Sequence, residues 1–253
     1  MTILGETSMF TTKVKSEVIK NLIDVTSPLV NEAKFSITKD GISLRAVDPA
    51  HVAMVSLTLN KEAFEEYKAD EMELGIDLDK LASIMRLASS GDMLSLDHDT
   101  AKNQLVITIG NLTRRMALID TAGMPDSKVP NLELPAKVVV KAGEISRGVK
   151  ASESISDHLC LRVEKDLFNL SAEGDTDTVD LKLGKEALET IETSDSYKSM
   201  FSIDYFHNMI RPVKPSDPLT ISLGNDNPVR LDFSIASNNG SVTYLLAPRI
   251  ETD

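Results

Sequence analysis

Apolar and polar residues alternate with a period of two along much of the chain, as in β-strands that bury one face. The stretch from Val55 to Asn60 is typical, because aliphatic side chains alternate there with Ser56, Thr58 and Asn60. Strands that bury one face are characteristic of antiparallel sheets. The pattern therefore predicts a protein rich in antiparallel sheet.

Four other segments repeat apolar residues at helical spacing and are predicted to form helices that cover the sheets. Asp77 and Asp204 stand at matching places before two of them and are predicted as N-caps. The predicted helices span residues 16–29, 77–89, 143–155 and 204–211.

The second half of the sequence repeats the pattern of the first half. "KDGISL…VSLTLNKEAF" at 39–64 resembles "KDLFNL…VDLKLGKEAL" at 165–188, and further matches follow in the same order at offsets of 126 to 128 residues. Ordered matches at nearly one spacing predict two domains of the same fold. The alternative is chance similarity among alternating strands.

Residues 120–135 separate the two halves. They contain three prolines and a glycine, show neither period, and are long for a loop inside a compact domain. We therefore predict an α+β protein whose two similar domains, 9–119 and 136–253, are joined by this linker.

Composition limits the possible chemistry. Cys160 is the single cysteine, which excludes an internal disulfide, and its apolar run "HLCLRV" predicts a buried strand residue in an intracellular protein. No apolar run is long enough to span a membrane, and the first residues do not resemble a signal peptide. The common phosphate, dinucleotide, zinc-protease and serine-hydrolase motifs are missing, and the four histidines lack metal-ligand spacing. We predict no enzyme, no metal and no cofactor, although an unrecognised metal or carboxylate site remains the alternative.

The net charge of −12 argues against binding to nucleic acid until the positions of the cations are considered. The outer faces of three predicted helices are basic, and the first helix adds Lys20. Each face taken alone could be an ordinary solvated surface, but together they suit non-specific contact with DNA phosphates. The candidate DNA-facing residues are Lys20, Lys80, Arg86, Arg147, Lys150 and Arg211.

An unusual loop, Asp48-Pro49-Ala50-His51, lies between two predicted strands and places an imidazole among apolar residues. A catalytic role for His51 is disfavoured because no partner groups accompany it. Two interpretations stay open, a buried structural histidine and one wall of a docking groove.

Several segments resemble the proliferating cell nuclear antigen (PCNA) family of sliding clamps, most closely its archaeal members. They are "MFTTKV", "NEAKFSITKDGISLRAVDPAHVAMVSLTL", "VPNLELP", "SDHLCLRV" and "TYLLAPRIE". The resemblance begins at Met9, so residues 1–8 are treated as an N-terminal extension without assigned function.

The resemblance implies a homotrimeric ring around duplex DNA, with the helices lining the hole. It implies a processivity factor that docks replicative DNA polymerase, flap endonuclease, DNA ligase and the clamp loader through short Q-x-x-h-x-x-a-a peptides, where h is aliphatic and a is aromatic. The protein would be cytoplasmic and associated with the nucleoid. A subunit of a heteromeric checkpoint-type ring is the alternative.

Two further sets of residues follow from the resemblance by position. The partner-peptide pocket would comprise Val47, His51, Val52, Met124, Val129, Leu132, Pro228, Tyr244, Ala247, Pro248 and Ile250. Residues 249–252 would pair with the peptide as an added strand. The subunit interface would join edge strands through Arg114, Arg115, Met116 and Leu118 of one chain and Thr178, Val179, Asp180 and Leu181 of the next.

Overall fold

The computed structural model describes residues 9–249, which form two compact units that do not follow chain order. The first unit contains residues 9–46, 56–128 and 234–241, and the second contains residues 47–55, 129–233 and 242–249. The predicted linker, 120–135, contains neither helix nor strand. None of the helices in the described range is long and apolar enough to cross a membrane.

The order of elements repeats, which confirms the predicted duplication. The first half contains β1 (Phe10–Lys15), α1 (Ser16–Thr26), β2 (Glu32–Thr38), β3 (Gly41–Val47), β4 (Ala53–Asn60), β5 (Glu66–Ala69), β6 (Met72–Asp77), α2 (Leu78–Met85), β7 (Met93–Asp99), β8 (Gln104–Ile109) and β9 (Leu112–Ala117). The second half contains β10 (Ala136–Lys141), α3 (Ala142–Ser152), β11 (His158–Glu164), β12 (Leu167–Glu173), β13 (Thr178–Gly184), β14 (Thr190–Glu192), β15 (Tyr197–Ser202), α4 (Ile203–Ile210), β16 (Pro218–Leu223), β17 (Val229–Ile235) and β18 (Gly240–Leu246). A short 3-10 helix follows β4 and another follows β13 at the equivalent place.

In the first unit, an antiparallel sheet has the strand order β5-β1-β7-β8-β9. Strand β2 pairs with β3 on one side and with β6 on the other. Helices α1 and α2 pack beside each other, and their apolar stripes are buried at residues such as Ile19, Leu22 and Leu81. This burial of aliphatic side chains supplies the core of a chain that has no tryptophan.

The second unit repeats this plan with the sheet β13-β12-β11-β15 and a second run, β14-β10-β16-β17. Helix α3 packs on β12 and β13 with Ile145 and Val149 fully buried. Gly148 makes the close approach possible, because a Cβ at this position would lie 2.8 Å from Leu181 Cδ2. A glycine inside a helix normally lowers its stability, so packing explains this one.

Helices α1, α2 and α3 end three or four residues before the predicted bounds, α4 ends one residue before its bound, and one predicted cap is wrong. Asp77 caps α2 as predicted, because its carboxylate accepts a 2.9 Å hydrogen bond from the Lys80 amide. Asp204 is not a cap, since α4 starts at Ile203 and its N-cap is Ser202. Buried Ile203 takes the first helical position, as Leu78 does in α2, so the structural equivalent of Asp77 is Ser202 and not Asp204.

Cys160 lies in β11 as predicted, but it is half-exposed and not buried. Its neighbours Leu159 and Leu161 take the inward positions of the strand, which turns Cys160 to the other face. Partial burial still raises the pKa of the thiol.

The start of α1 anchors the loop that follows α2. Glu17 Oε1 accepts hydrogen bonds from the Ser90 hydroxyl at 2.6 Å and from the Gly91 amide at 2.5 Å. Ser16 donates its hydroxyl to Ser89 O at 2.8 Å and its amide to Asp92 O at 2.9 Å. The hydrogen bond from Ser90, followed by backbone hydrogen bonds, lowers the pKa of Glu17 to about 2.

We expect Glu17→Gln to lower the melting temperature near neutral pH. A carboxyl group whose pKa is lower in the folded state stabilises the fold above its unfolded pKa of 4.5, and this contribution is lost as the pH falls toward about 2. The melting-temperature difference between variant and wild type should therefore shrink on acidification from neutral pH to about pH 3. Glu71→Gln, in the exposed turn between β5 and β6, is the control, and an equal effect of both substitutions would contradict the assignment.

Candidate functional site

Helix packing decides which way the candidate DNA-facing side chains point. Lys80, Arg86, Arg147, Lys150 and Arg211 are all exposed. The buried stripes of α2, α3 and α4 take the other positions of each helix, which leaves these cations in solvent.

Lys20 differs from the other five. It is half-buried, and its ammonium donates a 2.6 Å hydrogen bond to Ala88 O, beyond the end of α2. The ammonium group of Lys20 therefore uses one of its hydrogen-bond donors within its own unit.

Two of the exposed cations have acidic partners on their own helices. Lys80 pairs with Asp77 at 2.8 Å, and Arg147 pairs with Glu144 at 2.6 Å. The hydrogen bond to Asp77 raises the pKa of Lys80. Exposed pairs of this kind are weak and exchange readily with other anions, so both cations stay available to phosphate.

The remaining three cations, Arg86, Lys150 and Arg211, form no ion pair with any residue between 9 and 249. Ser83 and Ser154 are also exposed on the helical faces, where they add no charge. The basic surface is therefore sparse and suits weak, non-specific contact with a polyanion.

Asp48 organises the loop that follows β3. Its buried carboxylate accepts hydrogen bonds from the amides of Val52 at 2.8 Å, Ala53 at 2.7 Å and Ala50 at 3.2 Å, and from the Tyr205 hydroxyl at 2.7 Å. Burial opposes ionisation, but these hydrogen bonds together hold the pKa of Asp48 below its usual value. The loop is therefore built around a buried, charged hydrogen-bond acceptor.

His51 lies at the tip of this loop and is exposed, which overturns the interpretation as a buried structural histidine. Its backbone is in the left-handed region, with φ of 58°, and its amide donates to Asp48 O at 2.9 Å. Val47 and Val52 are half-exposed on either side. The loop thus presents one imidazole flanked by two aliphatic side chains.

The C-terminal segment meets this loop inside the second unit. The Ala247 amide donates to Val52 O at 2.8 Å, and Ala247 and Pro248 are half-exposed. The Arg249 amide donates a 2.7 Å hydrogen bond to Met200 O, so it is not free for the predicted pairing with a peptide. Loop and tail residues that are distant in sequence therefore share one surface.

The other pocket candidates differ in exposure. Val129, Leu132 and Pro228 are half-exposed parts of the second unit, and Met124 is half-exposed in the first. Tyr244 needs correction, because it is 0% exposed and its ring lies 5.9 Å from that of Phe233 in the core. Because its side chain points inward from β18, Tyr244 packs beneath the surface and does not line the pocket. Ile250 lies outside the described residues.

The candidate interface strands lie at sheet edges. Strand β9 ends the five-stranded sheet of the first unit, and β13 ends the four-stranded sheet of the second. Within residues 9–249, neither strand has a β-partner on its outer side. Each edge therefore offers a row of backbone groups for pairing.

The side chains of β9 and its surroundings divide between core and surface. Arg114 and Arg115 are exposed beside a cleft of about 440 Å³ that α2 also lines. Met116 is 4% exposed and points into the core, so only its backbone could take part in pairing. Leu118 is half-exposed.

On β13, Thr178 and Asp180 are exposed, and Val179 and Leu181 are half-exposed. The loop before this strand adds exposed Asp175 and Asp177. On the strand itself, Asp180 pairs with Lys182 at 2.7 Å, so Asp175 and Asp177 supply the net negative charge of this edge. The edge at β9 is therefore basic and the edge at β13 is acidic.

One anchor of the linker could not be read from the sequence. The Lys34 side chain, 12% exposed, pairs with Glu73 at 3.4 Å and also binds Asp126 of the linker. The hydrogen bond to Asp126 raises the pKa of Lys34, although burial opposes this. The three residues lie far apart in the chain, and no local pattern marks them.

Two family models match the chain in succession. The N-terminal domain of proliferating cell nuclear antigen matches residues 9–121, and its C-terminal domain matches residues 128–249. The DNA polymerase sliding clamps of Methanocella arvoryzae and Methanosarcina mazei are 43% and 42% identical over 246 residues, which cover 97% of this chain and all of each relative.

Solved structures agree with these matches. A. fulgidus PCNA bound to the C-terminal region of FEN-1 matches with a TM-score of 0.92 and 34% identity over 97% of this chain and all of that one. PCNA from Thermococcus kodakaraensis matches with a TM-score of 0.88 and 29% identity over 95% of this chain and all of that one. The chain belongs to the PCNA family, and its fold is that of two similar α+β clamp domains.

We expect Lys34→Met to loosen the linker without unfolding the protein. The carboxylates of Glu73 and Asp126 are 48% and 82% exposed and can be solvated without the lysine, so the melting temperature should change little. Local opening should increase, and trypsin should cut after Lys128 several-fold faster, as followed by mass spectrometry. Lys39→Met, in the exposed turn after β2, should leave this cleavage unchanged. Equal cleavage of wild type and Lys34→Met would contradict an anchoring role for Lys34.

Proposed function

We propose that the protein is a DNA polymerase sliding clamp, a homotrimeric ring that encircles duplex DNA and keeps the replicative polymerase at the primer end. The observation that carries this proposal is the full-length likeness to archaeal proteins named DNA polymerase sliding clamp. The clamp supplies no catalytic group, acts without a cofactor, and works in the cytoplasm at the nucleoid.

Edge pairing closes the ring in this proposal. In the repeated order of elements, β13 takes the place of β4, and β9 takes the place of β18. The segments of β4 and β18 already associate inside each unit, because Asn60 donates to Asn239 O in the first and Ala247 donates to Val52 O in the second. By the same logic, β9 of one chain pairs with β13 of the next, which satisfies both open edges.

Charge supports the same arrangement. Exposed Arg114 and Arg115 on the β9 edge complement Asp175 and Asp177 beside the β13 edge, where Asp180 is already paired with Lys182. Complementary charges across an interface speed association and fix the register of the partners.

The helices line the hole, and their cations contact DNA phosphates without reading sequence. Retention on DNA comes from the closed ring, so strong contacts are unnecessary and would slow sliding. A sparse basic surface within a chain of net charge −12 fits this role.

Partners dock on the surface formed by the Asp48–His51 loop and the C-terminal segment. The A. fulgidus relative was solved with the C-terminal region of FEN-1, a flap endonuclease, and we extend that mode of binding to this chain. Replicative polymerase, DNA ligase and the clamp loader bind the same surface through short peptides with hydrophobic anchors. Tethering the polymerase raises its effective concentration at the primer end.

We expect Arg114→Glu combined with Arg115→Glu to shift a wild-type trimer toward monomer at micromolar concentration. Reversing the two charges places like charges across the interface, which costs association energy. Mass measurement by light scattering across a dilution series tests this. Lys61→Glu combined with Lys102→Glu changes the net charge equally at exposed sites elsewhere in the first unit and should remain trimeric. A wild-type mass fixed at one chain would reject the ring, and a trimeric double variant would reject the role of these arginines.

We expect Arg147→Glu combined with Lys150→Glu to shorten the products made by a cognate polymerase and clamp loader on a primed circular template. The loss should grow with ionic strength, because salt screens the remaining phosphate contacts. Lys165→Glu combined with Lys198→Glu is the control, since both lysines are exposed in the second unit, outside the helices and away from the β13 edge. Normal product lengths at every salt concentration would remove Arg147 and Lys150 from the DNA surface.

A further inference from the structure

The docking loop is tied to helix α4 by one side chain. Among residues 9–249, one donor to the Asp48 carboxylate comes from outside the loop, and it is the Tyr205 hydroxyl. The other donors are the amides of Ala50, Val52 and Ala53, which close the loop on itself. The phenol therefore fixes the loop relative to the body of its unit.

The two carboxylate oxygens of Asp48 accept hydrogen bonds of unequal length. Oδ1 accepts two short hydrogen bonds, at 2.8 Å from the Val52 amide and 2.7 Å from the Ala53 amide. Oδ2 accepts a long bond of 3.2 Å from the Ala50 amide and a short one of 2.7 Å from the Tyr205 hydroxyl. Without the phenol, a buried charged oxygen would keep only the long bond, which is costly. The loop would then rearrange to bring Asp48 toward water.

Tyr205 is carried by a packed helix, and its own side chain is half-exposed. It lies in the first turn of α4 between Ile203 and Phe206, which are 2% and 0% exposed. A hydroxyl mounted on a packed helix positions its partner more accurately than one on a mobile loop. The rigid core of the second unit is thus connected through Tyr205 and Asp48 to the loop tip.

We propose that Tyr205 is a positioning residue for peptide docking, acting through Asp48 to hold Val47, His51 and Val52 in the arrangement that a partner peptide recognises. This role rests on the docking function proposed above. Tyr205 need not touch the peptide, because its effect is on the population of the binding-competent loop. If only part of the population is competent, the apparent affinity falls by that fraction.

The test compares Tyr205→Phe with Tyr197→Phe in the full chain. Tyr197 lies in the same unit and its hydroxyl contacts Ser194 at 3.2 Å, away from the Asp48 carboxylate. The probe is a fluorescent peptide of the flap endonuclease C-terminal region. We expect Tyr205→Phe to raise the dissociation constant by about fivefold to tenfold and Tyr197→Phe to leave it unchanged. The trimer mass should be the same for both variants.

Two further readouts separate positioning from general destabilisation. Amide resonances of Val52 and Ala53 should shift in Tyr205→Phe and not in Tyr197→Phe, because only the first alters their shared acceptor. 4-Aminophenylalanine at position 205, which restores a donor, should recover the affinity, whereas 4-methylphenylalanine, of similar size, should not.

The outcomes are distinguishable. Absence of peptide binding by the wild type would overturn the docking function and this role with it. Wild-type binding that Tyr205→Phe leaves unchanged would overturn the role of Tyr205 alone. An equal loss for both phenylalanine variants, or no rescue by the amino derivative, would also reject positioning through the hydrogen bond.

Discussion

Each helix can bury only one stripe of side chains, and this constraint decides where the positive charge of the molecule lies. In α3, Ile145 and Val149 are fully buried on the sheet, and Gly148 allows the close approach. Arg147 and Lys150 are then left outside by the geometry of the helix. The same reasoning places Lys80 and Arg86 outside α2. The basic surface is a consequence of core packing, so the fold and the proposed contact with DNA depend on the same hydrophobic pattern.

The duplicated sheets also leave edge strands, among them β9 and β13, without a β-partner on their outer sides within residues 9–249. An antiparallel sheet of five or four strands always ends in backbone groups that need partners. The repeat supplies these edges in equivalent pairs, because β9 and β13 stand where β18 and β4 stand in the other half. In the proposed ring, this internal association is the template for association between chains. In the proposed ring, Arg114 and Arg115 at one edge face Asp175 and Asp177 beside the other, which lets a copy distinguish the two edges.

The sequence predicted whatever depends on local pattern and repetition. The alternation of residues predicted the strands, the helical stripes predicted four helices, and the cap at Asp77 was correct. Errors arose where a local rule competed with packing, as at Asp204, where buried Ile203 starts the helix, and at Cys160, which faces the outer side of its strand. Tyr244 illustrates a different limit, because resemblance placed it near the pocket but could not say that its ring points inward. The linker bounds and the roles of the candidate residues stay predictions.

The contacts that shape the candidate docking surface could not be predicted, because their partners are far apart in the chain. Asp48 and Tyr205 are 157 residues apart, and Lys34 and Asp126 are 92 residues apart. Neither pair follows a periodic pattern, and each exists only once the sheets have formed. In both pairs, a charged side chain accepts or donates a hydrogen bond across the fold. One such contact is enough to give a surface segment a defined position. In the proposed ring, closure retains the clamp on DNA and the DNA contacts can stay weak, whereas docking partners need a preformed surface. On this proposal, side chains such as Tyr205 and Lys34 are needed as anchors where peptides dock and not where DNA slides.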